Sequence, residues 1–258
     1  MLRHLVPIVL IVAASLVVAG PTRAGKLLRV EGQIVKWAPP ETGKATVITY
    51  AVLTDPYSLP SDRHTLSPDN CGVMRAFAEI VSASTASTAV SEANARQQLL
   101  SAFAAWEMAA GVRFIEVSEL QAANIIIGAA DVGTGQAYAN LTLAGRQDPQ
   151  PFAKALGAAG DARQVDLPRS AKDRPVALIE RAYVCLNPKM RWKIGFDGNL
   201  DVYDLRYTFI HEIGHAIGLD HPGSSGSIMG YRYDERVRQL QASDISAAQL
   251  LYGQPKDE

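Results

Sequence analysis

Three of the chain's five histidines fall within the stretch HEIGHAIGLDH, residues 211–221. No other feature of the 258 residues restricts the fold as tightly. The surrounding segment LRYTFIHEIGHAIGL, residues 205–219, has no proline and a sustained apolar face, so it is predicted helical. Positions four apart share one side of a helix, which projects His211 and His215 together. Gly218, three residues after His215, can take the positive φ that ends a helix sharply. The chain can then turn and return His221 to the same point.

Three neutral imidazoles can share one zinc ion at about 2.0–2.1 Å and leave a fourth position for water, the coordination of a catalytic site. Glu212 sits at the edge of the same helix face. There it can reach that water without being a ligand and take its proton as a carbonyl is attacked. The plainer reading is a histidine-rich helix that matches HExxH by chance. The complete HExxHxxGxxH pattern, on a predicted helix in an exported chain, favours the metal. His4 lies in the export region and His64 in a solvated loop.

Export is read from residues 5–20, LVPIVLIVAASLVVAG, an uncharged apolar run preceded by Arg3 and His4. Thr22-Arg23-Ala24 places small residues where a signal peptidase reads, so cleavage is expected after Ala24. The run is shorter than the roughly 20 residues that span a bilayer, which favours a cleaved signal over an anchor. The product is expected in the periplasm or outside the cell, with no stable membrane insertion. Formal net charge is −1, so no basic field points to nucleic acid. Two cysteines, Cys71 and Cys185, cannot form a dense scaffold; a disulfide between them is the default in an exported protein.

The expected organisation is a signal peptide (1–24), a short N-terminal segment (25–45) and one domain (46–258). VITYAVL (47–53), VRFIEVS (112–118), ANIIIGAA (123–130), AYANLTL (137–143) and RAYVCLN (181–187) read as strands. Leu99, Phe103, Trp106 and Ala110 form the stripe of a helix over 91–110, with Gly111 as its stop. SDISAAQLLYG (243–253) reads as a closing helix with Ser243 as N-cap and Gly253 as stop. Strand, helix and further strands indicate an α/β (α+β) fold with a largely parallel sheet. Residues 54–88 form a long connection, and 144–178 a long loop without period.

HEIGHAIGLDH resembles the signature of the metzincin zinc endopeptidases, and AFAAWEMAAGVRFIEVS, ANIIIGAAD and SDISAAQLLYG resemble segments of matrixin catalytic domains. The likeness covers most of residues 45–253. It implies a metzincin-like catalytic domain: a twisted, mostly parallel sheet with an antiparallel edge strand, an active-site helix, a methionine turn and a C-terminal helix. It also implies a protein or peptide substrate paired along the edge strand, residues 222–236 walling the pocket, and a monomer. In SIMGY, Met229 would underlie the zinc, a role that overlaps with ordinary core packing. Pro222-Gly223 resembles serralysins, and Met229-Gly230-Tyr231 resembles the Met-x-Tyr of serralysins and astacins, in which the tyrosine can ligate zinc or swing toward the oxyanion. Tyr231 is the candidate here and Tyr233 its competitor.

No histidine lies between 65 and 210, so one zinc is expected. Calcium is left possible near Asp197-Gly198-Asn199, although a single Asp-Gly turn is ordinarily just a turn. Matrixins are held latent by a propeptide cysteine, and SPDNCGVMR around Cys71 keeps only the Cys-Gly-Val core of that pattern. The alternatives for Cys71 are thus a disulfide, a zinc-ligating switch or a free thiol. Beside a secreted endopeptidase, the other reading is a latent or catalytically silent zinc-binding module that recognises a protein partner.

Overall fold

The structure, a computed structural model, describes residues 25–40, 43–59, 65–66, 70–82, 90–131, 135–145, 176–223 and 226–256. The expected signal peptide, His4, His64 and most of the 144–178 loop lie outside the described residues. In chain order, β1 (Lys26–Leu27), β2 (Arg29–Val30) and β3 (Gln33–Lys36) precede β4 (Thr46–Val52). A small pair, β5 (Tyr57–Ser58) with β6 (Val73–Met74), and a single turn, α1 (Glu79–Ser82), lead to the long helix α2 (Glu92–Ala109). Then come β7 (Val112–Glu116), β8 (Ile125–Ala129), β9 (Ala137–Leu143) and β10 (Val176–Leu186). The pair β11 (Trp192–Lys193) and β12 (Tyr203–Asp204) enters α3 (Leu205–Ala216), followed by β13 (Leu219–Asp220) and α4 (Ala242–Tyr252).

Parallel pairing joins β7, β4, β8 and β10, and β9 runs antiparallel to β10. Every residue of β8 is buried because both faces of the sheet are covered. Its side chains alternate between them, as the period of two requires. Ile125 and Ile127 join the main core with Leu99, Trp106 and Phe209, whereas Ile126 joins a smaller cluster with Met74, Tyr183 and Cys185. The fold is a mixed α/β arrangement with a mostly parallel sheet, as the sequence led us to expect.

Ser91 caps α2 by accepting from Asn94 N–H at 3.1 Å, and Leu99, Phe103 and Trp106 bury its inner face. The helix is fixed to α3 by the Trp106 indole, which donates to Ile210 O at 2.9 Å. Gly111 directly follows the C-cap of α2, at the stop expected of it, but without a positive φ. Its requirement is proximity: a Cβ there would lie 2.4 Å from Tyr252 O. The closing helix also starts differently from expectation. Gln241, not Ser243, is the N-cap, because Gln241 and Asp244 satisfy each other's backbone in a capping box.

Residues 25–36 are structured as well. β2 pairs with β3, β3 runs parallel to the first residues of β10, and β1 pairs with β13. Cys71 and Cys185 are joined by a disulfide with their Cα atoms 5.8 Å apart, which ties the connection before β6 to β10. The Cys71 sulfur is thereby committed away from the histidines. Among the described residues, no helix is long and apolar enough to cross a membrane.

Candidate metal centre

α3 begins where Asp204 caps it, one carboxylate oxygen accepting from Tyr207 N–H at 2.8 Å and the other from Gly195 N–H at 2.7 Å. Burial holds this carboxyl above its ordinary pKa, with the two backbone bonds opposing. Phe209, Ile210, Ile213 and Ala216 face the core. His211 and His215, one turn apart, face a cleft of about 870 Å³. Gly218 follows with φ +96°, and a Cβ there would meet Val35 O at 2.2 Å. The turn it makes brings His221 back.

The three Nε2 atoms form a triangle with every edge 3.1 Å. Zinc bonded tetrahedrally at about 2.0–2.1 Å would separate its nitrogens by about 3.3 Å, so the triangle fits a shared ion within a few tenths of an ångström. The tautomers agree. His211 Nδ1–H donates to Ile228 O at 2.7 Å and His215 Nδ1–H to Leu219 O at 2.9 Å. That leaves the Nε2 of His211 and of His215 each a bare lone pair facing the other and His221 Nε2, an arrangement that suits a shared cation. Burial, reinforced by a neighbouring imidazole, pushes the pKa of His211 down to about 3 and those of His215 and His221 to about 4. All three are neutral at neutral pH and so could serve as metal ligands. An all-imidazole set suits zinc over calcium or magnesium.

Glu212 is only 5% exposed. The Ala139 backbone N–H of β9 donates to its carboxylate, while Oε2 has no partner among the described residues. Burial pushes its pKa up to about 8 against the effect of that one bond. A buried carboxylate with an unused oxygen beside three converging imidazoles is built to exchange a proton.

Met229 packs against α3 at Gly214. Its sulfur occupies the space a Cβ on Gly214 would need, 2.3 Å away, and the preceding carbonyl, Ile228 O, is the one that holds His211. The turn is pinned by Asp244 of α4, whose carboxylate accepts from Ile228 N–H at 3.1 Å and Met229 N–H at 3.4 Å. Reading the sequence for ligands missed Asp244. The Gln241-x-x-Asp244 spacing of a capping box was the available signal. Tyr231 stands at the cleft rim, 83% exposed, its ring edge-on to His221 with centroids 5.2 Å apart. Tyr233 lies deeper, accepting from Asp204 N–H and donating to Glu235.

At the Asp197-Gly198-Asn199 turn, oxygens of Asp197 and Asn199 face the Lys193 ammonium, which also pairs with buried Glu235. β9 forms the other wall of the cleft. Asn187 N–H donates to Gln136 O, and ladder bonds alternate, so the backbone groups of Ala137, Ala139 and Leu141 face away from β10. Leu66 N–H takes Leu141 O, and Ala139 N–H serves Glu212.

A family model described as matrixin matches residues 79–253. Human matrix metalloproteinase-26 is 47% identical over 55 residues, 20% of this chain and 21% of that protein. Matrix metalloproteinase-18 of Xenopus laevis is 39% identical over 56 residues, 20% of this chain and 12% of that protein. The chain thus aligns with about a fifth or less of the length of these relatives.

Proposed function

The chain belongs to the matrixin family, and from that premise we propose that it is an exported, zinc-dependent endopeptidase. His211, His215 and His221 would hold the ion over Met229. The chemistry that zinc would supply there is Lewis acidity toward a peptide carbonyl and a water pKa lowered toward about 7. The observation that carries the catalytic reading is the unpartnered, buried oxygen of Glu212. As the carboxylate, that oxygen would take a proton from the attacking water and hand it to the departing amine. Ala139 N–H holds the other part of the carboxylate, so the group has one orientation.

An extended polypeptide would lie along the outer edge of β9, where the described residues offer no partner to Ala137 or to the Ala139 carbonyl. The residues beyond His221 would wall the cleft. Tyr231, exposed and beside His221, is free to turn toward the substrate oxygen. Removal of residues 1–24 would release the protein to the periplasm or the exterior.

The test is zinc content and casein cleavage by the parent beside Glu212→Gln. Both should bind one zinc, and the variant should lose about 10²–10⁴ in kcat, the range for a general base. Equal cleavage by both would refute the role of Glu212. Zinc binding with cleavage by neither would favour a silent or latent binding module.

A further inference from the structure

Four consecutive carbonyls at the end of the metal-bearing helix each have a donor. Ala216 O accepts from the Trp37 indole at 3.0 Å and Ile217 O from the Tyr252 hydroxyl at 2.6 Å. Gly218 O accepts from Leu28 N–H at 2.8 Å and Leu219 O from His215 Nδ1–H at 2.9 Å. Two of these donors, Leu28 and Trp37, come from the segment that the sequence leaves ahead of the domain. Carbonyls at a helix end lack a backbone donor from within the helix, so the direction of the chain leaving α3 is set by the groups that donate to them.

β1 is placed to set that direction. It pairs antiparallel with β13, Leu27 opposite Leu219 and Lys26 opposite Asp220. Antiparallel bonds are exchanged at alternate pairs, and the Leu28-to-Gly218 bond fixes the phase. Leu219, in the intervening pair, therefore turns its carbonyl away from β1 and toward His215. On the next residue, Asp220 divides its carboxylate. Oδ1 accepts from His221 N–H at 2.7 Å, and Oδ2 receives the Lys26 ammonium at 2.7 Å. Both side chains of that ion pair are about three-quarters buried, at 27% and 23% exposure, so water screens it less than an ordinary surface pair. One short strand thus stands behind two of the three histidines, orienting the His215 imidazole through a carbonyl and holding the His221 backbone N–H through a carboxylate.

We propose that β1 is a brace for the metal-binding loop, with Lys26 and Asp220 as positioning residues for His221. This rests on the zinc reading above. Its test is zinc affinity of the full chain, measured against a chromophoric chelator, together with the visible absorption of the cobalt-loaded protein. Lys26→Met should weaken zinc binding about tenfold, the lower end for loss of a group that orients a ligand. Asp220→Asn should do the same, and the double variant should be no weaker than the worse single. Lys26→Arg keeps the charge and should return to within about threefold of the parent, with the parent's cobalt spectrum. The thermal midpoint of the metal-free protein should be unchanged in all. Parent-like zinc affinity in Lys26→Met would overturn the brace while leaving the metal site standing, and so would singles whose losses multiply in the double. A lowered metal-free midpoint with unchanged affinity would make the pair structural only, also overturning it. A parent that takes up no zinc would overturn the metal reading itself, and the brace with it.

Discussion

Gly214 lies inside α3, where glycine costs about 0.8–1.0 kcal/mol relative to alanine. By helix propensity alone, Gly214→Ala should stabilise the protein. The packing says otherwise. The new Cβ would lie 2.3 Å from Met229 Sδ, 3.0 Å from Met229 Cε and 3.0 Å from Trp106 Cζ2, and both residues are buried. Non-bonded heavy atoms settle at about 3.5–4.0 Å, so Met229 has to move by more than about 1 Å with Trp106 blocking one side. Overpacking costs about 1–3 kcal/mol, and obstruction by two buried side chains places this case at the upper end. After the propensity gain of about 1 kcal/mol, a net loss of about 2 kcal/mol remains. For a domain of this size that lowers the thermal midpoint by about 4–8 °C. The assay is thermal unfolding with chelator and again with zinc. The loss should be larger with zinc, because Ile228 O, beside Met229, holds His211. Met229→Ala alone should cost about 2–5 kcal/mol through its cavity. The double variant should cost less than the sum of the singles, since the added methyl enters the vacated space. A higher midpoint in Gly214→Ala would refute the packing argument.

Lys193→Met should destabilise the protein by about 3 kcal/mol or more in denaturant titration, because Glu235 is left buried without its ammonium. Reduction of the Cys71–Cys185 bond should cost about 2–5 kcal/mol while zinc content is retained. In metal-free protein the histidines and Glu212 set opposite pH limits. The histidine pKa values fall from 6.5 to about 3 and 4, so their contribution is full above 6.5 and is lost as pH falls toward 4. The Glu212 value rises from 4.5 to about 8, so its contribution is full below 4.5 and is lost as pH rises to 8. Stability should therefore peak near pH 6.5 and decline above it by up to about 1.4 kcal/mol per pH unit. Chemical unfolding in chelator reads both limbs, and Glu212→Gln should abolish only the alkaline one.

Local rules were enough for much of this protein. Spacing alone put His211 and His215 on one helix face, and Gly218 announced the turn that returns His221. Apolar runs marked β4, β8 and β9 to within a few residues, and the family signature placed Met229. These are short-range facts: helical and extended periods, and a glycine's freedom at positive φ. What the sequence could not decide depends on chains that meet from far apart. Residues 25–37 read only as part of a short segment ahead of the domain, and their pairing with β13 and α3 is what ties them to the loop that carries His221. Gly111 and Gly214 look like a helix stop and a weak helix position until Tyr252 O and the Met229 sulfur are found in the space a Cβ would fill. Glu212 is legible as a candidate base, but its burial and single bond to Ala139 come from β9 closing over α3. Asp244 reads as an ordinary capping residue, yet it holds the methionine turn from α4. The pattern HEIGHAIGLDH states which atoms can converge. The direction in which each one points is set by donors, acceptors and excluded volume supplied by segments tens to nearly two hundred residues away, and those exist only once the chain has folded.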